Sequence, residues 1–281
     1  MAEAAYRIAL VCEDEAHVAL ATGLIDRIVL HEAREAGADY IDEETIDYYR
    51  RYSGLRGNER YYPLTDARRD VEVLDRRPMI GGRPVRLTGH IRGRPLCPEA
   101  AMWRRIFALF VAQDPPPAAI IVVRDTDRKE ARLSGLEQAL ELMRVEVAAP
   151  LPIVAATPEP EAEAWLVAGF VPVNENERKR LVALAQKISF DPTRQPHRLS
   201  AGSGNAPTDA KRVLRILFFD EDESKPPSRE ELPDVCDRAF ADLALLRERG
   251  GECLLVAFLE DVRSTLVPVL VPGARLVHGR P

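Results

Sequence analysis

Features that would place a chain in a class at once are missing here. The four cysteines, Cys12, Cys97, Cys236 and Cys253, show no CxxC spacing and have no histidine pair near them. Neither a disulfide framework nor a zinc site is therefore indicated. No apolar run approaches the roughly 20 residues that a membrane helix requires. No GxxxxGK followed by Ser or Thr is present, so a P-loop is not expected to supply ATP hydrolysis. An excess of positive charge is lacking too. Lys+Arg total 39 against 45 Asp+Glu, a net charge of −6, so no global basic field advertises nucleic acid. The opening segment, MAEAAYRIALVCEDE, sets Glu3 where a signal peptide needs positive charge. A cytoplasmic protein without a membrane segment is expected.

What is present suffices for a substantial core. The 281 residues, 46% of them hydrophobic, suit one large domain or two small ones. Charge is unevenly spread. Residues 50–94 hold twelve arginines against five acids, a net +7, which leaves −13 for the rest of the chain.

A short apolar run at residues 7–12 (RIALVC) breaks abruptly at Glu13, and Val18, Ala21, Leu24, Ile25, Ile28 and Val29 follow at helical spacing. A strand feeding a helix is the opening half of a βαβ unit. Residues 38–97 break that rhythm and read as an Arg-rich insertion. Within it, 40–52 has a helical pattern, Tyr61-Tyr62-Pro63 reads as a turn, and 85–88 reads as part of a hairpin. The rhythm returns with a helix at 98–111, a fully apolar strand at 118–123, a helix at 131–145 and an apolar strand at 152–156. The last third reads as helices at 175–188, 209–219 and 228–249, with 254–262 open between strand and helix. The expected architecture is an α/β core over residues 5–172, with a mainly parallel sheet flanked by helices. A mostly helical extension, 173–281, packs on it.

Each of three apolar strands runs straight into carboxylates: Glu13, then Asp125 and Asp127, then Glu161 and Glu163. The carboxyl ends of parallel strands form the ligand-binding edge of an open sheet. Uncompensated carboxylates about 4–6 Å apart repel by several kcal/mol at an effective dielectric near 20. Such a cluster calls for raised pKa values or a cation, and hard oxygen ligands suit Mg²⁺ or Mn²⁺ better than zinc. In an extended segment alternate residues point the same way, so Asp125 and Asp127 can converge on one ion or bracket two.

This set resembles the TOPRIM domain of topoisomerases, primases and OLD-family nucleases. IIVVRDTD is similar to the DxD strand of that domain, PIVAATPEPEAEAWLVA to an ExEAW element of small OLD-like and RloB-like proteins, and TDAKRVL to a downstream Asp-Ala-Lys element. The first motif departs from the pattern. Asp14 follows Glu13 where the family has Gly, and His17 stands where it has a second acid. The resemblance implies a Rossmann-like core and a Mg²⁺- or Mn²⁺-dependent endonuclease of one- or two-metal type. Glu13 would then be a metal ligand or general base, and Asp125 and Asp127 would be ligands. Glu161 or Glu163 would complete a second site, and Lys211 would stabilise charge at the scissile phosphate. The resemblance further implies a role in phage defence beside an ATPase partner of the ABC/SMC type. In that setting the basic block, through Arg50, Arg51, Arg56, Arg60, Arg68 and Arg69, together with Arg128, would contact nucleic acid, with DNA ahead of RNA. Tyr49, Tyr52, Tyr61 and Tyr62 would offer rings for base stacking. The alternative is a non-catalytic subunit that keeps the fold and serves an ATPase complex as an assembly or sensor module.

Overall fold

Three unbroken apolar runs lie side by side in one sheet, both faces of which are covered. The computed structural model describes residues 6–56, 58–73, 79–80, 83–84, 90–91, 94–95, 97–146, 151–202 and 204–271. In chain order these form β1 (Tyr6–Cys12), α1 (Glu15–Glu35), the single turn α2 (Ile46–Tyr49), β2 (Arg50–Ser53), β3 (Tyr62–Pro63) and α3 (Leu64–Val73). Two antiparallel ribbons follow, β4 (Met79–Ile80) with β5 (Arg83–Pro84) and β6 (His90–Ile91) with β7 (Arg94–Pro95). Then come α4 (Pro98–Val111), β8 (Ala119–Val123), α5 (Glu130–Glu146), β9 (Ile153–Ala156) and α6 (Ala162–Ala168). The remaining helices are α7 (Glu175–Ile188), α8 (Ala210–Phe219), α9 (Leu232–Ala239), α10 (Leu243–Arg249), α11 (Leu255–Asp261) and α12 (Val267–Leu270).

The main sheet runs β2–β1–β8–β9, every pairing parallel, and β3 pairs with β1 beyond the end of β2. This is an α/β protein with a five-stranded parallel sheet flanked by helices, consistent with a Rossmann-like core. Strand alternation divides the buried side chains between two clusters. Ile8, Leu10, Cys12, Ile121 and Val123 face α1, α6, α8 and the C-terminal helices. Ala9, Val11, Ile120 and Val122 face α3, α4 and α5. Each large aliphatic side chain so buried contributes roughly 1.5–3 kcal/mol. Cys12 is a buried free thiol, and Trp165 is core: its ring stacks on Phe258 and its indole N–H donates to the Cys253 carbonyl at 2.7 Å.

Close backbone approach fixes two helix contacts. A Cβ on Gly135 would meet Glu99 Cβ at 2.4 Å, and one on Gly169 would meet the Ala239 carbonyl oxygen at 1.8 Å. Glycine at these positions lets α5 lie on α4 and α6 lie on α9.

Several expectations change. The helix expected over 40–52 shrinks to the single turn α2, and β2 follows, its Arg50 and Tyr52 reaching Asp26 on α1. Tyr62 and Pro63 form a strand beside β1 rather than a turn. The segment read as an insertion therefore supplies two strands of the main sheet. The expected single helix over 228–249 is two, because Asp242 caps a new one by accepting from the N–H groups of Ala244 and Leu245. Residues 254–262, open in sequence, are mostly α11. The hairpin expected at 85–88 lies outside the described residues. No helix among the described residues is long and apolar enough to cross a membrane.

Candidate functional site

Register brings the three strand ends together. Cys12 pairs with Val123, and Val123 pairs with Ala156, so β1, β8 and β9 end in one row across the sheet. Backbone pairing continues past that row: the N–H groups of Arg124, Thr126 and Asp127 donate to the carbonyls of Ala156, Pro158 and Pro160. The segment 124–127 is thereby locked to the loop that leads into α6. The resulting cleft, about 550 Å³, is lined by Glu13, Asp14, His17, Asp125, Asp127, Lys129, Glu161, Glu163 and Lys211 among others.

His17 is the centre that sequence reasoning undervalued. Asp14 caps α1, accepting from the His17 backbone N–H at 3.0 Å. This places the imidazole, 2.7 Å from Asp14 Oδ1 at Nδ1 and 3.1 Å from Asp125 Oδ1 at Nε2. Burial works against the charged imidazolium, but hydrogen bonds and charge from Asp125 and Asp14 outweigh it and raise its pKa well above the ordinary value. The same contact holds Asp14 down at about 2, although burial opposes this. Asp125 also accepts from the backbone N–H of Ala162 at the start of α6, at 2.9 Å. Burial and the neighbouring Asp125 raise the Glu13 carboxyl, while His17, Arg132 and Arg124 partly offset them.

One ligand atom from each of Glu13, His17 and Asp125 lies within 4.8 Å of the other two. The Nε2 of His17 is buried and faces Asp125 Oδ1 at 3.1 Å. An ion bound at Nε2 would displace the proton that Asp125 favours there while Asp14 holds Nδ1, the arrangement in which a carboxylate orients a metal-ligating histidine. Two carboxylates and one imidazole can hold a single divalent ion, and this donor set suits Mn²⁺ better than Mg²⁺.

Asp127 does not join them. β8 ends at Val123, and Asp127 and Arg128 adopt left-handed backbone at φ 47° and 56°. The alternation of an extended strand therefore does not reach Asp127, and its carboxylate turns to Arg132 at 2.6 Å. Glu161 and Glu163 are buried and share a cation: Lys211 Nζ lies 2.6 Å from Glu161 and 3.8 Å from Glu163. Burial raises both carboxyls against the pull of Lys211, Glu163 to about 7. The two carboxylates raise Lys211 in turn, against its own desolvation. The ammonium thus stands where the resemblance expected a second metal ion.

No family model matches this chain, nor does any curated protein or solved structure. The TOPRIM resemblance accordingly rests on the motifs quoted for it, and the site on its own geometry.

Two further residues were missed. Arg124, directly before Asp125, is buried and forks onto Glu99 at 2.5 and 3.2 Å while lying 3.5 Å from Glu13. Arg132 donates to the Asp125 carbonyl at 2.8 Å as well as to Asp127. An arginine at a strand's carboxyl end was the available signal for the first; the second depends on tertiary placement.

The arginines named for nucleic acid scatter. Arg50 is committed inside the fold to Asp26 and Asp47, which raise its pKa despite burial, so it is not available to a ligand. Arg51 stands on edge strand β2. Arg56 reaches Glu59 and Asp70, Arg68 lies on α3, and Arg69 pairs with Asp66 and Asp70. Arg128 donates to the carbonyls of His197 and Leu199, which ties the DxD turn to the loop before α8. Of the seven, Arg60 lines a cavity that adjoins the cleft.

Proposed function

We propose that this chain is a metal-dependent nuclease of TOPRIM type that hydrolyses phosphodiester bonds of nucleic acid, DNA ahead of RNA. It uses one divalent ion, Mn²⁺ or Mg²⁺. The observation that carries this reading is the convergence of Glu13, His17 and Asp125 in a cleft that also holds a lysine. When bound, the ion would polarise a phosphoryl oxygen and lower the pKa of its water.

The chain's own groups have separable parts. Asp14 orients the imidazole through Nδ1, and the Ala162 N–H fixes the rotation of Asp125. Arg124 and Arg132 hold Glu13 in place while limiting repulsion within the acidic set. Lys211, anchored on Glu161, offers positive charge to a phosphate oxygen at the transition state. Glu163, with a pKa of about 7, is poised to exchange a proton with a leaving oxygen near neutral pH. A single ion with a lysine as second cation replaces the two-ion arrangement in this reading.

The test is calorimetry with Mn²⁺ alongside cleavage of a plasmid and a labelled oligonucleotide. Glu13→Gln and Asp125→Asn are expected to abolish ion binding and to reduce cleavage by at least about 100-fold. No binding at millimolar Mn²⁺, or cleavage that survives both substitutions, overturns the reading. One observation favours the alternative of a non-catalytic module: Arg124, Arg132 and Lys211 already neutralise much of the acidic set from within. Tight binding to an ATPase of the ABC/SMC type, without ion binding, would decide for it.

A further inference from the structure

A second cavity, about 500 Å³, adjoins the acidic cleft. The two share Asp14, Ala16 and Pro227, so they adjoin at the first turn of α1. Their linings differ in kind. Val18, Ala19, Leu232 and Pro233 give the second cavity an apolar floor, and the half-buried Tyr61 adds an aromatic ring. Two exposed arginines complete it. Arg229 is engaged by Glu15 at 3.4 Å, whereas Arg60 has no partner among the described residues.

The walls are held in place. The shared wall at Pro227 belongs to the non-helical segment between α8 and α9, which is pinned where the Ser224 hydroxyl donates to Asp209 at 2.6 Å. Tyr61 is held by close backbone approach, since a Cβ on Gly54 would meet the Tyr61 carbonyl oxygen at 2.5 Å.

We propose that this cavity receives an unpaired base of single-stranded nucleic acid, from the nucleotide next to the phosphate in the cleft. The proposal rests on the nuclease reading and narrows its substrate to a single or locally opened strand. The base lies on the apolar floor beside the Tyr61 ring, and Arg60 meets a backbone phosphate. Ring-lined, apolar pockets of this size suit small planar groups, and a base can enter one only after leaving its stack. Polarity sets the direction. Asp14 and Glu15 line the cavity, where they repel a phosphate but can accept from the amino group of a base. The phosphate is thereby driven outward to Arg60.

Fluorescence anisotropy tests this with a labelled 12-nucleotide single strand and a blunt duplex of the same sequence, using Ca²⁺ in place of Mn²⁺. Wild type is expected to bind the single strand more tightly than the duplex. Arg60→Ala and Tyr61→Leu are each expected to weaken single-strand binding by about five-fold or more, and duplex binding by clearly less. If Tyr61→Leu lowers the thermal midpoint, the exposed Arg60→Ala decides. Equal affinity for the two forms, or variants that bind the single strand as wild type does, overturns the proposal. Cleavage with Mn²⁺ separates the two readings. Preferential single-strand binding that responds to both substitutions, with no cleavage, refutes the nuclease reading alone. Cleavage indifferent to strandedness and to both substitutions refutes the base pocket alone.

Discussion

Removing the charge of Lys211 while keeping its bulk, as in Lys211→Met, should turn a paired cluster into a liability that grows with pH. At an effective dielectric near 20, unit charges at the observed 2.6 and 3.8 Å attract by about 6 and 4 kcal/mol respectively. Desolvation of three groups cancels most of that attraction, and stranding a buried carboxylate typically costs about 3–5 kcal/mol. Lys211 is 28% exposed, and Glu163 already sits at about 7, so protonation limits the penalty, and we expect the lower end, about 3 kcal/mol at pH 8. For a chain of this size that is a drop of about 6–12 °C in thermal midpoint. The sign with pH follows from the carboxyls. Their folded pKa values lie above the unfolded ones and rise further without Lys211. The penalty is therefore absent below about pH 4 and grows as pH rises through the folded values. The midpoint difference between wild type and variant should be large at pH 8 and shrink toward pH 5. Adding Glu163→Gln should recover part of it at pH 8. A difference that is flat from pH 5 to 8, or a variant as stable as wild type at pH 8, would refute the assignment of Lys211 as the shared counter-charge.

Two other outcomes are expected. Asp14→Asn removes the carboxylate that orients His17 without touching a proposed ligand, and should lower Mn²⁺ affinity about 10–100-fold by calorimetry. Gly169→Ala should destabilise the fold by about 2–3 kcal/mol in urea titration, because the added carbon would lie 1.8 Å from the Ala239 carbonyl oxygen. An unchanged midpoint would mean that the contact between α6 and α9 is looser than it stands here.

The sequence disclosed three neighbouring strands because burial on both faces leaves no polar position to interrupt them. β1, β8 and β9 fall within one residue of the expected bounds, and α4 and α7 fall at them. The edge beside β1 was hidden for the opposite reason. β2 and β3 are four and two residues long and carry Arg, Tyr and Pro, the composition of short protected edges. The candidate site was legible as far as strand ends can carry it: Glu13 and Asp125 meet, and Glu161 and Glu163 meet Lys211. What could not be read depends on register and backbone hand. The left-handed turn at Asp127 withdraws one carboxylate, and a cap at Asp14 swings in an imidazole in its place.

The flank of β1 has a consequence for how the protein can vary. Two separate segments share the pairing work of a single strand: β2 along Tyr6–Ala9, and β3 at Val11 and Cys12. The chain between them leaves the sheet and returns, closed at its base by the Gly54 N–H on the Glu59 carbonyl, and carries Arg60 and Tyr61 on the way back. Both ends are pinned in register, so lengthening this excursion costs only closure entropy, about 0.6 kcal/mol per doubling. The split strand acts as a socket. Its loop can be exchanged for longer or differently charged ones, altering what meets the cleft while the ends of β1, β8 and β9 stay where they are.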